Sequence, residues 1–378
     1  MSTTPTDGTT DAAIDTAIDT VIIGAGQSGL ATGYHLQRRG LPFVILDAAD
    51  RVGDGWRHQW DSLRLYSPAR YDALPGMAFP APAWSYPGKD QVADYLESYA
   101  QHFDLPVRLR TRVRTLEADG AGGYVVRTDT GDHHCSNVVV ATGTFGRTPH
   151  VPDLADRLDP SILQLHSSEY RRPGQLRDGP VLVVGASHSG SDIAYEAAAT
   201  RTTILAGRDC GQIPPRLDTA KMRLLFPVLM LVWNHVLNRR TPVGRRAMPH
   251  IRHHGGPMLR VKRSDLADRG VERVTSRVEA VEDGRPVVDG TPRDVATVVW
   301  ATGFRQTYDW IHLPVLGDDG WPREMRGVAT DAPGLFFGGL CFQYSFTSML
   351  LAGAGRDAGH VVDRIAARRR RTSLDAVA

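Results

Sequence analysis

Cysteine is scarce in this sequence. Only Cys135, Cys210 and Cys341 occur, far apart, with no CxxC and no zinc-ligand spacing. That excludes the usual dithiol redox pair and favours a reducing compartment, so a cytoplasmic location is expected. Net charge is also small, a formal +2, too near zero to argue for nucleic acid or an anionic membrane. The start of the chain has neither a basic cluster nor an apolar core, so no signal peptide is read. Long hydrophobic runs are missing. The apolar stretch Met222–Leu237 has 16 residues with Pro227 inside it, too short for a membrane span. It is expected to be a helix that is buried or lines a pocket, with membrane-surface association as the alternative. There is no convincing acid–base pair or nucleophilic triad. His250, His253 and His254 have no acid or cysteine nearby at ligand spacing, so no metal is expected.

Glycine is plentiful, and two clusters of it carry the information. Gly24-Ala25-Gly26-Gln27-Ser28-Gly29 follows the apolar run Val21-Ile22-Ile23. Gly185-Ala186-Ser187-His188-Ser189-Gly190 follows Val181-Leu182-Val183-Val184. Each has the strand–turn–helix pattern of a dinucleotide fingerprint. In the first, Gly24 permits the tight turn, Gly26 lets backbone N–H groups approach a pyrophosphate, and Gly29 lets the helix pack close. Asp47 lies 21 residues beyond Gly26, at the end of the next strand. A carboxylate there accepts ribose hydroxyls and repels a 2′-phosphate, so this site suits FAD or NAD. In the second, Ser187 stands at the middle glycine position, where its hydroxyl can bond a phosphate. The next strand ends at Gly207-Arg208 rather than at an acid, and an arginine there pairs with the 2′-phosphate of NADP. Arg216 is a second candidate for that role. Ser189 stands where a hydrolase nucleophile elbow requires glycine, so Ser187 is not read as a nucleophile.

The expected fold is α/β, with two Rossmann-like dinucleotide-binding domains and the NADPH domain inserted into the FAD domain. The expected boundaries are a disordered, Thr/Asp/Ala-rich N-terminus at 1–18, the first FAD part at 19–150 and the NADPH domain at 151–292. A second FAD part at 293–366 and a basic tail at 367–378 follow. The repeat of Val139-Val140-Ala141-Thr142-Gly143 as Val298-Val299-Trp300-Ala301-Thr302-Gly303 supports the insertion. Residues 90–103 form an amphipathic helix through Val92, Tyr95, Leu96 and Tyr99. Residues 210–262 read as irregular, then basic.

Several of these pieces together resemble the flavin-containing monooxygenases, class B flavoprotein monooxygenases, in their YUCCA-like or CzcO-like branch. The resemblance covers about residues 18–365. Gly53-Asp54-Gly55-Trp56-Arg57 is similar to the family's Gly-Gly-x-Trp loop against the flavin. The segments 141–143 and 301–303 resemble its domain-linking strands. His166-Ser167-Ser168-Glu169-Tyr170-Arg171-Arg172-Pro173 resembles the second half of its identifying sequence. The first half departs: Pro160 and Ile162 stand where the family has Phe and Gly. Tyr170 stands in place of Trp, which points away from Baeyer–Villiger chemistry. The family's active-site asparagine has no match, since residues 50–100 contain no Asn.

The resemblance implies FAD held by Gly24, Gly26, Gln27, Ser28, Gly29, Asp47, Trp56, Arg57, Val113, Ala141, Thr142, Gly143 and Gln343. It implies NADPH held by Gly185, Ser187, His188, Ser189, Gly190, Arg208, Arg216, Ala301, Thr302 and Gly303. The implied reaction is oxygen insertion from O2 into a small organic substrate through a flavin hydroperoxide, by heteroatom or carbon hydroxylation. No catalytic side chain is assigned, because the cofactor carries the chemistry. His166 is read either within that motif or as a hinge histidine. Two alternatives stay open: an NADPH oxidase releasing hydrogen peroxide, and a disulfide reductase relative without the thiol pair. A homodimer also stays open. The aromatic loop 60–86 and residues 210–262 are expected to shape the substrate pocket.

Overall fold

The computed structural model describes residues 18–144 and 148–375. The expected disordered start, Ile18 excepted, and the last three residues of the expected tail lie outside the described residues. The first unit opens with β1 (Thr20–Ile23), α1 (Gln27–Gln37) and β2 (Phe43–Leu46). The short helix α2 (Asp54–Arg57) and α3 (Lys89–His102) bracket a long loop. After β3 (Val107–Arg108) comes an antiparallel layer of β4 (Val113–Ala118), β5 (Tyr124–Thr128) and β6 (Gly131–Cys135). The chain returns through β7 (Asn137–Val140) and leaves by β8 (Thr148–Pro149).

The second unit repeats the plan. It runs β9 (Leu163–His166), β10 (Val181–Val184), α4 (His188–Ala197) and β11 (Thr203–Ala206). Three helices follow: α5 (Ala220–Leu231), extended by a π-helical turn at Val232–Val236, then α6 (Pro242–His253) and α7 (Arg263–Asp268). Then come β12 (Glu272–Val274) and the layer β13 (Val278–Glu282), β14 (Arg285–Val288) and β15 (Thr291–Pro292). The unit closes with β16 (Thr297–Trp300). The chain crosses back through β17 (Phe304–Arg305). It ends with β18 (Glu324–Met325), β19 (Val328–Ala329), β20 (Leu335–Phe337) and α8 (Leu351–Asp375).

The first sheet has the order β18-β19-β20-β7-β1-β2-β3, and the second β12-β11-β10-β16-β9. Alternating side chains of β1 explain the layering of the first. Ile22 faces α1, α3 and α8, while Val21 and Ile23 face the β4–β6 layer. In the second, Val181 and Val183 of β10 face α4 and α7, while Leu182 and Val184 face the β13–β15 layer. Both central strands, β1 and β10, sit between parallel partners.

Three expectations need correction here. β16 pairs with β10 and β9, so Thr297–Trp300 belongs to the second sheet and the return to the first unit follows Gly303, not residue 292. The arginine run 368–371 is on the last helix, not on a tail, and Arg368 donates to the Gly122 carbonyl at 3.0 Å. Met222–Leu237 is helical as expected, but residues 242–253 form a further helix rather than an irregular segment, with Thr219 and Thr241 capping α5 and α6 through their hydroxyls.

Candidate dinucleotide and substrate sites

Both glycine turns have the same construction. Gly24 has φ +109° and Gly185 φ +112°, in the region that favours glycine. A side-chain carbon on Gly24 would stand 2.6 Å from the Ala141 carbonyl oxygen, and one on Gly185 would strike that of Ala301. One on Gly29 or Gly190 would strike the carbonyl oxygen of Gly24 or Gly185. Each repeated Ala-Thr-Gly segment therefore lies directly behind a fingerprint turn. This relation explains why the two motifs occur as a set.

The two turns differ in what covers them. At Gly26 nothing stands within 4 Å of where a side chain would begin. Gly26 ends in extended backbone, no side chain caps α1, and the helix N-terminus with Gln27 and Ser28 is left for an anion. Asp47 is fixed at the end of β2, where it accepts from Ala25 N–H at 2.5 Å and Ala49 N–H at 2.8 Å. The Thr142 hydroxyl is buried with no partner among the described residues, beside Gly24 and ahead of Gly143. An open glycine, free helix N–H groups, an acid and an orphaned hydroxyl fit an unphosphorylated dinucleotide. Val113 lies at the start of β4, half-buried against the core of that layer.

The second turn is overlaid by Gly255-Gly256-Pro257. Ser187 donates its hydroxyl to the Gly256 carbonyl at 2.9 Å, so it is not free for a phosphate as expected. A side chain on Gly255 would meet Ser187 at 2.7 Å, and one on Gly256 would meet the His188 ring at 2.7 Å. His188 is half-buried against Tyr66, ring centroids 5.1 Å apart, and loss of solvent around the ring pushes its imidazole down to about 4. Ser189 and Gly190 continue into α4. Arg208 follows β11 on the surface and forms no ion pair among the described residues. Arg216, the second candidate for phosphate recognition, is half-exposed and engaged by Asp265. Behind this turn, Thr302 donates to the His150 carbonyl, and His166 Nε2 lies 3.0 Å from the Gly303 carbonyl. His166 thus sits where the two crossing segments, paired as β8 and β17, run side by side.

Other expected residues divide. Trp56 packs against the cores of both units, as a residue between the two turns should. Arg57 is held by Asp54, Asp94 and Glu97 at 2.8–3.1 Å and by the Val52 carbonyl at 2.7 Å. Gln343 is fully buried: its Oε1 accepts from Leu340 N–H at 3.2 Å, and its amide nitrogen is turned toward Gly327. Through that bond it holds its own loop, while its amide nitrogen has no partner among the described residues. That loop is further fixed by buried Glu324, which pairs with Arg239 and Arg252; these donate to the Gln343 and Cys341 carbonyls at 3.1 Å. Sequence reasoning missed Glu324, since nothing local marks an isolated acid as buried.

Loop 60–86 and residues 210–262 do come together. Tyr71 lies 5.0 Å from Phe226, Phe226 5.8 Å from Trp233, and Trp233 5.0 Å from Phe346. The loop is tied to the second unit by Tyr66 on Asp192, Ser62 on Glu196 and Tyr86 on the Leu217 carbonyl. These contacts join the two segments through one run of aromatic rings.

Residues 21–212 match the family model described as pyridine nucleotide-disulphide oxidoreductase. An uncharacterized CzcO-like oxidoreductase of Geobacillus kaustophilus is 37% identical over 348 residues, 91% of this chain and 97% of that protein. A probable indole-3-pyruvate monooxygenase of Arabidopsis thaliana, YUCCA1, is 29% identical over 91% of this chain and 89% of its own length. A solved flavin-containing monooxygenase of Stenotrophomonas maltophilia superposes with a TM-score of 0.72, at 28% identity, covering 93% of this chain and 98% of its own. Its two turns and these relatives make the chain an NADPH-dependent flavoprotein with FAD as its second cofactor. The chain belongs to the pyridine nucleotide-disulphide oxidoreductase family, as an oxidoreductase of the flavin-monooxygenase type.

Proposed function

We propose that this enzyme places one atom of O2 on a small organic substrate, at a heteroatom or carbon, with FAD in the first turn and NADPH at the second. FAD held there would supply a relay for two electrons from NADPH to O2, with one oxygen atom going to the substrate and the other to water. The chain's own residues bind, orient and exclude water. Gly26 and the α1 N-terminus receive the pyrophosphate, Asp47 the ribose, and Arg208 the 2′-phosphate. The rings of Tyr71, Phe226, Trp233 and Phe346 keep the substrate's surroundings dry.

The observation that carries this reading is the pair of dinucleotide turns without a usable thiol pair. Cys135 and Cys341 lie in separate cores, and burial pushes their thiols up to about 12 and about 11. Cys210 stands alone on the surface loop after Arg208. Oxygen, not a disulfide, is then the acceptor. Tyr170, buried and bonded to Glu196, supports heteroatom or carbon oxygenation over Baeyer–Villiger insertion through the sequence departure it represents. NADPH and the free thiols suit the cytoplasm.

The test is turnover with NADPH and isotopically heavy O2 against a panel of amines, sulfides and indoles. The expected result is one heavy oxygen in the product per NADPH consumed. One hydrogen peroxide per NADPH with every compound would make the protein an oxidase instead. Alkylation of the cysteines is expected to leave flavin reduction by NADPH intact.

A further inference from the structure

The helix α5 has two unlike faces. Met222 and Phe226 point inward, and Phe226 joins the aromatic cluster. Leu224, Val228 and Leu231 point outward, 80%, 55% and 60% exposed. Their spacing of four and three residues puts them on one stripe. The helix is thus buried on one face only, where it was expected to be buried or to line a pocket. Val236 and Val243 are exposed just beyond it. Scattered apolar residues on a surface are ordinary, but a contiguous stripe marks an interaction site.

The charge around the stripe is one-sided. Residues 219–264 contain ten of the chain's 44 Lys and Arg and none of its 42 Asp and Glu. Lys221, Arg223, Arg240, Arg245 and Arg246 are exposed and form no ion pair among the described residues. Lys221 sits one turn before Leu224 on the same stripe. In a symmetric pair of copies meeting at this face, these cations would oppose their own images. An anionic bilayer satisfies both features: acyl chains take leucine and valine, and head groups take lysine and arginine.

We propose that α5 lies on an anionic lipid surface, with Leu224, Val228 and Leu231 at the acyl boundary and Lys221 and Arg223 among the head groups. No helix among the described residues is long and apolar enough to cross a membrane, so the contact is with one leaflet. The docking does not depend on the reaction assigned above.

The test is sedimentation of the FAD-loaded enzyme with phosphatidylcholine vesicles, alone or mixed with phosphatidylglycerol. Binding is expected only to the mixed vesicles and is expected to fall with added salt. The double variant L224E/L231E should lose it by at least about tenfold while keeping its flavin and its NADPH oxidation in solution. The charge variant K221E/R223E should weaken it and flatten its salt dependence. Failure of the wild type to pellet with the mixed vesicles overturns the proposal, as does equal binding by L224E/L231E. A dimer in analytical ultracentrifugation that L224E/L231E abolishes, without vesicle binding, would assign the face to a second copy.

Discussion

Tyr66, in the long loop of the first unit, donates its phenol hydroxyl to Asp192 on α4 of the second at 3.0 Å. Asp192 is also held by Arg260 at 3.0 Å. Burial pushes the Tyr66 phenol well above its usual range and raises the Asp192 carboxyl, with Arg260 opposing the second shift. This bond fastens the aromatic loop to the helix that starts at the second dinucleotide turn. Tyr66→Phe removes one charge-assisted hydrogen bond from a buried carboxylate. A loss of about 1.5–3 kcal/mol is expected, read as a lower urea midpoint at unchanged slope. An unchanged midpoint would mean that the loop is held without this contact.

The middle and last glycines of the first turn separate ligand binding from folding. Gly26 lies in extended backbone with open space beyond it, so Gly26→Val should fold. Its side chain then fills the place proposed for the pyrophosphate. The purified variant should be soluble, cooperative in unfolding and free of flavin absorbance. Gly29→Ala drives a methyl into the Gly24 carbonyl and should fail to fold. A yellow Gly26→Val protein would remove the first turn from the FAD site.

How far the sequence could be read follows from where its signals are local. The glycine turns, Asp47 and the Ala-Thr-Gly repeats are short patterns in which each residue has one steric or polar task, and they appear where expected. The sheet to which Thr297–Trp300 belongs could not be read, because a short, fully buried Thr-Val-Val-Trp strand fits either sheet equally. The outer stripe of α5 was hidden by its own composition: from Leu224 to Trp233 no charge marks the solvent side. The directions of the Ser187 hydroxyl and the Gln343 amide depend on Gly256 and Gly327, far away in the chain. The arginine run at 368–371 suggests a solvated tail, yet arginine is a good helix former and α8 continues through it.

Arg208 is the cation left to recognise a 2′-phosphate once Arg216 is seen to be held by Asp265. Asp209 beside it is occupied by Arg263 at 2.5 Å and Arg273 at 3.8 Å, so it does not neutralise Arg208. Arg208→Ala should lower kcat/KM with NADPH by about ten- to a hundredfold, the scale of one charge-assisted pair, and leave NADH nearly unchanged. Steady-state kinetics with both coenzymes reads this directly. An unchanged ratio would move the phosphate contact elsewhere.

Asp72 makes stability depend on pH through a single buried carboxyl. It accepts from Ser67 at 2.5 Å through one oxygen, and its other oxygen has no partner among the described residues. Burial pushes it up from 3.8 to about 7. Between those values the unfolded chain has released this proton and the folded chain retains it. The folded state therefore binds more protons, and stability falls as pH rises through the window, levelling above about 7. The full contribution is of order 4 kcal/mol. Asp72→Asn keeps an acceptor for Ser67 and cannot ionise. Urea midpoints at about pH 5 and about pH 8 should therefore differ less in Asp72→Asn than in the wild type, and the variant should be the more stable protein at the higher pH. Parallel pH dependence of the two proteins would show that Asp72 ionises freely in the folded state, and that loop 67–72 opens to water more readily than its burial implies.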